Sequence, residues 1–480
     1  MLSTLSPWFV ALYLITVLSL IGVVLSENRN PLKALAWVLV IGFVPFLGLL
    51  IYILFGQDQR RRHIISKRVY RRINLKPKIA SVIWTDKVDY DTPHWQTLKD
   101  LIKTNADSPV LISDDVSVYH EGRKMFASLF DDIRNARRHI HIESYIFEED
   151  SLFNELVELL LKKVEQGVKV RLIYDHVGSW GVKKKTWNKL RKAGIQAYPY
   201  MPVVFPLFSN SVNYRNHRKI TVIDGTVAYI GGMNIAERYR GQENASKVWC
   251  DSHFRITGPA VAGIQSTFLV DWYVVSRRVI NIDSSFSDEW TPSIFNPNGI
   301  KIQFLAGGPI SKWRTIDQAF TTAIARASKY IYIQTPYFLP TETLGNALIA
   351  AALSGIDVWI MLPGKNDSVV AGLACESYYG NLLAAGVHVV LYKPGFLHSK
   401  LMMIDGEICS IGSANMDFRS LEHNFEFNAI IYDVNITHQL DELFMADLAE
   451  CREISLEEWK TRPMKRKALN SLVRIFSPLL

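Results

Sequence analysis

The chain has 480 residues, of which 49% are hydrophobic and 21% charged, with a formal net charge of +8. That length exceeds one small domain and supplies apolar material for a large core, while the modest basic excess suits nucleic acid and an anionic lipid surface equally. The four cysteines, Cys250, Cys375, Cys409 and Cys451, stand too far apart for a disulfide framework or a paired metal motif. They read as small apolar residues in a reduced compartment, and neither a metal nor a cofactor is expected.

No charged residue stands between Leu2 and Ser26, or between Ala34 and Gly56. At about 1.5 Å per residue each stretch can cross a hydrocarbon core of about 30 Å, so residues 1–56 read as two transmembrane helices, the second kinked at Pro45. A signal peptide fits the first stretch less well, since no Lys or Arg precedes it. The link carries Arg29 and Lys33, against Arg60, Arg61, Arg62, Lys67, Arg68, Arg71 and Arg72 beyond the second helix. The positive-inside rule then places the long C-terminal part in the cytoplasm. Residues 57–108 read as a basic juxtamembrane segment, able also to sit on anionic headgroups, followed by a connector with a helical pattern at Trp95, Leu98, Leu101 and Ile102.

From 109 to 290 strand and helix patterns alternate: strands over 116–119, 140–147 and 169–175, helices over 125–138, 152–166 and 184–193. Residues 291–480 repeat the plan, with helices over 316–327, 344–354 and 378–385 and strands over 330–335, 357–362 and 387–392. This alternation predicts an α/β fold of two sandwich halves with largely parallel or mixed sheets, paired about a pseudo-twofold axis. Gly194 lies 23 residues before His217, but Gly386 only 12 before His398. The first half therefore carries an extra apolar loop, MPVVFPLFSNSVNYR, that suits contact with lipid or ordinary packing.

One eighteen-residue frame occurs in both halves: HRKITVIDGTVAYIGGMN from His217 to Asn234, and HSKLMMIDGEICSIGSAN from His398 to Asn415. Strand alternation sets His217 and Lys219 opposite Ile220 and Val222, and His398 and Lys400 opposite Leu401 and Met403. Asp224-Gly225 and Asp405-Gly406 are hairpin turns, so each copy presents a His and a Lys on a rigid hairpin. At the C-terminus Leu469, Leu472, Val473 and Phe476 recur at helical spacing among Lys and Arg, a pattern that suits a helix lying on an anionic membrane or one packed on the domain.

Paired frames of this kind resemble the HKD signature of the phospholipase D superfamily. A phosphodiester repels nucleophiles, and without a metal its charge must be offset by fixed cations and donors. Lys219 and Lys400 can supply the charge, Asn234, Asn415 and Ser413 contact the phosphate as neutral groups, and small residues at Gly231, Gly232 and Gly412 would admit it closely. Two histidines offer a nucleophile and an acid at once. The resemblance implies a catalytic set of His217, Lys219, Asp224, His398, Lys400 and Asp405, with His217 as nucleophile and His398 as acid and then base; the symmetry of the frames leaves the reverse open. It also implies that Asp251 and Glu426 orient the histidines. The place of Asp224 and Asp405 in hairpin turns reads as structural.

The N-terminal helices, ENRNP, QTPYFLPTETL from Gln334, GKNDS, GFLHSKLMMIDG and the final FSPLL together resemble bacterial cardiolipin synthases of the phospholipase D type, over essentially the whole chain. That family implies two phospholipase D-like halves (109–290 and 291–480) behind a membrane hairpin, a cell-membrane location, and phosphatidylglycerol converted to cardiolipin and glycerol. Exchange of one phosphodiester for another needs no nucleotide, and no nucleic-acid module is apparent. Competing readings are a lipid hydrolase using water, a nuclease and a non-enzymatic membrane scaffold; oligomeric state is open.

Overall fold

The computed structural model describes residues 93–203, 214–241, 248–278, 299–309 and 311–475, positions 280 and 477, and scattered positions between 11 and 52 that include the helix Pro31–Phe43. Two sheets carry the molecule. The first has seven strands in the order Asp115–Tyr119, His253–Thr257, Val227–Gly231, Ile220–Ile223, His139–Ser144, Lys169–Asp175 and Gln196–Tyr200. The second repeats this order with Ile300–Gly307, Glu426–Tyr432, Ile408–Gly412, Leu401–Ile404, Tyr330–Gln334, Asp357–Pro363 and His388–Tyr392. It gains edge strands Leu111–Ser113 and Cys451–Glu453, making nine. Both sheets are mixed: His139–Ser144 pairs parallel with Lys169–Asp175 and antiparallel with Ile220–Ile223, and the second half does the same.

The sheets face each other. Ile220, Val222, Ala228, Ile230, Phe254 and Ile256 of the first meet Ile302, Phe304, Met403, Ile411, Phe427 and Ile431 of the second in one buried cluster. Thr221 and Ile223 point the other way, Ile223 joining a separate core beneath the first half's outer helices. Burial on both faces explains why the hairpin strands Ile220–Ile223 and Leu401–Ile404 are almost wholly apolar. The stretch expected as a connector does more than link: Trp95, Leu98 and Ile102 are fully buried in the second half's outer core. The expected helix at 378–385 is in fact Val369–Ala384, begun by Ser368, whose hydroxyl accepts from Ala371 N at 3.3 Å.

At the N-terminus, Val17, Ile41 and Tyr52 bury against one another, with Trp37 and Tyr52 edge to face at 5.3 Å. Among the described residues no helix is long and apolar enough to cross a membrane. Most of the first expected span, the kink at Pro45 and most of the extra apolar loop fall outside the described residues, while the helix Pro31–Phe43 covers the first part of the second expected span.

The C-terminal helix Met464–Arg474 packs on Val369–Ala384 through its polar side. Asn470 is buried and donates to Leu373 O at 2.8 Å, Arg466 pairs with Glu376 at 2.6 Å, and Arg474 lies 4.5 Å from the Tyr378 ring centre. Val473 joins the core, while Leu469, Leu472 and Ile475 stay exposed. The apolar stripe is therefore split between the domain and the surface.

Candidate active site

The repeated frame folds as two matching hairpins. Asp224 and Gly225 have φ of 54° and 74°, and Asp405 and Gly406 of 59° and 73°, the paired left-handed turn that Asp-Gly favours. Each turn aspartate clamps the start of the neighbouring strand. Asp224 accepts from the N–H groups of Arg137, Arg138 and His139 at 2.7–2.9 Å, and Asp405 from those of Ser328, Lys329 and Tyr330 at 2.7–3.0 Å. The histidines sit at the opposite end of that strand, whose six residues, His139–Ser144, span about 20 Å. Asp224 and Asp405 thus brace each hairpin against the neighbouring strand, away from the histidines. Asp405→Ala is expected to lower stability by about 2–3 kcal/mol, since three donors lose a charged acceptor. The measurement is the thermal midpoint, with turnover per folded molecule retained.

At the site end the halves exchange partners. His217 N donates to Phe425 O at 2.9 Å, and His398 N donates to Cys250 O at 2.7 Å. Each histidine-bearing segment therefore lies beside the carboxylate-bearing segment of the other half. His217 Nδ1 lies 3.1 and 3.2 Å from the Glu426 carboxylate oxygens, and His398 Nδ1 lies 2.5 Å from Asp251 Oδ2. Donation from His217 Nδ1 to Glu426 leaves its Nε2 free to carry a lone pair, while His398 Nδ1 faces both Asp251 and, at 2.9 Å, Lys400 Nζ.

Glu426, Asp251, His398 and both lysines are buried and His217 is mostly so, and burial is the largest influence on their proton affinities. It pushes Lys219 down to about 7 and Lys400 down to about 8, against the pull of Glu426 and Asp251. It pushes both histidines below the usual range, His398 further because Lys400, Lys219 and His217 crowd it. Burial also raises Asp251 to about 6 despite Lys400. Glu426 goes the other way: burial opposes its charge, but His217, Lys219 and the Ser413 hydroxyl outweigh it.

That hydroxyl marks the asymmetry between the frames. Ser413 Oγ donates to Glu426 Oε2 at 2.5 Å. Its counterpart is Gly232, where a Cβ would overlap the Asp251 carboxylate. Gly232→Ala is expected to displace Asp251 and cut turnover by about 10²-fold with a smaller change in KM, as steady-state kinetics would record. The asparagines have internal partners: Asn234 donates to Tyr239 OH at 2.6 Å and accepts from Ile146 N at 3.1 Å, while Asn415 donates to Asp417 Oδ2 at 2.8 Å. Each has one donor left for a ligand at most.

The family model described as cardiolipin synthase, PLD-like domain, matches residues 129–272 and 320–448, one segment in each half, and each segment holds one hairpin and one orienting carboxylate. A second, the phospholipase D-nuclease N-terminal segment, matches residues 11–57. A cardiolipin synthase of Geobacillus thermodenitrificans is 39% identical over 95% of this chain and 91% of its own. Another, of Halalkalibacterium halodurans, is 37% identical over 98% and 94%. The chain belongs to the cardiolipin synthase family. Among solved structures, phosphatidylserine synthase of Haemophilus influenzae shares the fold, with a TM-score of 0.60 at 15% identity over 80% of this chain and all of the other.

Around the histidines this cardiolipin synthase family member gathers cations that sequence reasoning passed over. Arg238 and Arg419 each lie four residues after the frame's asparagine, a repeat that could have been read. Arg238 packs 5.2 Å from the Trp249 ring centre, and Trp249 lies 5.2 Å from His398. Arg215, two residues before His217, is buried on Asp175 at 3.4 Å, with Nε and Nη2 lacking partners among the described residues. Beneath it Arg218 pairs with Asp271 and donates to Gly307 O at 3.1 Å, fixing one half's frame to the other half's first strand. Outside this centre, among the described residues, His120, Cys250 and Asp447 form a group able to hold a metal.

Proposed function

We propose that the chain is a membrane phosphatidyltransferase that converts two phosphatidylglycerols to cardiolipin and glycerol. The crossed histidine–carboxylate pairs carry this reading, because they supply two oriented imidazoles in one catalytic centre flanked by Lys219 and Lys400. A phosphodiester entering between Lys219 and Lys400 brings the negative charge that raises both lysines and His398 toward their protonated forms. His217 Nε2 attacks phosphorus, and a phosphorus–nitrogen bond replaces the bond to glycerol as His398 gives its proton to the departing alkoxide. A terminal hydroxyl of the second phosphatidylglycerol then returns a proton to His398 and displaces His217.

Placement at the cytoplasmic face of a bacterial cell membrane follows from the apolar stretches at the N-terminus and the basic residues after them. Accessibility of an introduced cysteine to an impermeant thiol reagent from each side tests it. The product test uses detergent-solubilised enzyme with phosphatidylglycerol alone, lipids resolved by mass. Cardiolipin with free glycerol is the expected result; phosphatidic acid with glycerol and no cardiolipin would make water the acceptor and the chain a lipid hydrolase.

The basic pH dependence follows from the same charges. Below about pH 6 Asp251 takes up a proton and loses its hold on His398, and turnover falls. Above about pH 7 to 8 the free enzyme's lysines lose their charge, so kcat/KM falls first, while bound phosphodiester keeps kcat up. A pH series of both parameters checks the split.

A further inference from the structure

Behind His398, three side chains from three separate elements converge. His120 follows the strand Asp115–Tyr119, Cys250 ends Val248–Cys250, and Asp447 lies in the last turn of the helix Val434–Leu448. His120 Nε2 is 3.1 Å from Cys250 Sγ and 3.1 Å from Asp447 Oδ2, and the three ligand atoms lie within 4.8 Å of one another. One ring nitrogen faces both a thiol and a carboxylate, so any single proton there would have to be shared. A cation between the three would meet all of them at once.

We propose that His120, Cys250 and Asp447 bind a zinc-class divalent ion that ties the two halves together next to the catalytic centre. Imidazole, thiolate and carboxylate in a compact group suit tetrahedral Zn²⁺, with water in the fourth position. Coordination takes the Cys250 thiol to thiolate and releases its proton to solvent. Outer contacts of the expected kind are present: Ser252 Oγ lies 3.1 Å from His120 Nδ1, and Gln334 Nε2 donates to Asp447 Oδ2 at 2.7 Å. The His120 and Asp447 side chains keep 18% and 13% of their surface exposed, enough for an ion to enter. His120 and Cys250 belong to the first half and Asp447 to the second. The Cys250 carbonyl accepts from His398 N, and Ser252 Oγ meets Ser399 Oγ at 3.1 Å, so the ion would steady the segment that carries Asp251.

The test uses full-length protein in detergent, exposed to ZnCl₂ or CoCl₂, passed through gel filtration and assayed for metal by mass spectrometry. The expected result is about one ion per chain, a thiolate-to-cobalt charge-transfer band, and alkylation of Cys250 slowed about tenfold by zinc. Cys250→Ser and Asp447→Asn should lose the band, and Cys451→Ser should keep it. Should Cys250→Ser fail to fold, zinc protection of Cys250 in the unaltered protein decides the question. Wild-type protein with under a tenth of an ion per chain and no protection would overturn the proposal, as would a band that survives Cys250→Ser.

Discussion

His398→Ala is expected to reduce cardiolipin formation about 10⁴-fold, and His217→Ala at least as much, yet the two losses should respond differently to the substrate. From a phosphatidyl aryl ester the P–O bond to the ring breaks and the aryloxide departs without needing a proton. In the His398→Ala protein such a lipid should restore one rapid turnover of aryl release, because attack by His217 needs only its own lone pair and the flanking lysines. His217→Ala should stay inactive with the same lipid. Stopped-flow absorbance of the released phenol reads the burst. Equal rescue of both variants would mean that the histidines share both roles, and rescue of His217→Ala alone would reverse the assignment.

The second large effect concerns the crossed carboxylates. Glu426→Gln is expected to lower kcat about 10³-fold with little change in KM, because an amide no longer enforces the Nδ1–H tautomer of His217. Ser413→Ala should reproduce a small part of that loss, since its hydroxyl helps keep Glu426 ionised. The decisive comparison is a double-mutant cycle between the halves. Glu426→Gln should add almost nothing to His217→Ala, and Asp251→Asn almost nothing to His398→Ala, whereas Glu426→Gln with His398→Ala should compound. The opposite pattern would place each carboxylate with the histidine of its own half.

Much of the fold was legible because its strands obey local rules. Lys169–Asp175 appears over the expected residues, since Val170 and Leu172 alternate with Lys169 and Arg171 between Gly167 and a turn. The helix Val261–Ser276 was not anticipated: it is buried nearly all round, so no polar face sets a period. Val434–Leu448 did carry a signal, with Asp433 capping Ile436 N at 2.9 Å and Ile436, Leu440 and Phe444 buried at a spacing of four. The site residues were readable from the doubled frame and Asp251 and Glu426 from the resemblance, but which carboxylate serves which histidine was not. That Glu426 serves His217, 209 positions away, depends on segments exchanged between the halves, which spacing along one chain does not encode. The same holds for His120, Cys250 and Asp447, whose separations match no short metal motif. Asn234 and Asn415 were read as free donors, and the burial that engages them with Tyr239 and Asp417 is likewise a property of the packed halves.

The central claim is that one histidine carries the phosphatidyl group across the interface between the halves. It is tested most directly by mixing His398→Ala protein with the aryl phosphatidyl lipid, quenching at mildly alkaline pH, where phosphohistidine survives, and mapping the adduct by peptide mass spectrometry. A phosphatidyl group on His217, absent from the His217→Ala protein, is the predicted result. An adduct on any other residue, or a full burst of phenol release with no adduct, would contradict it.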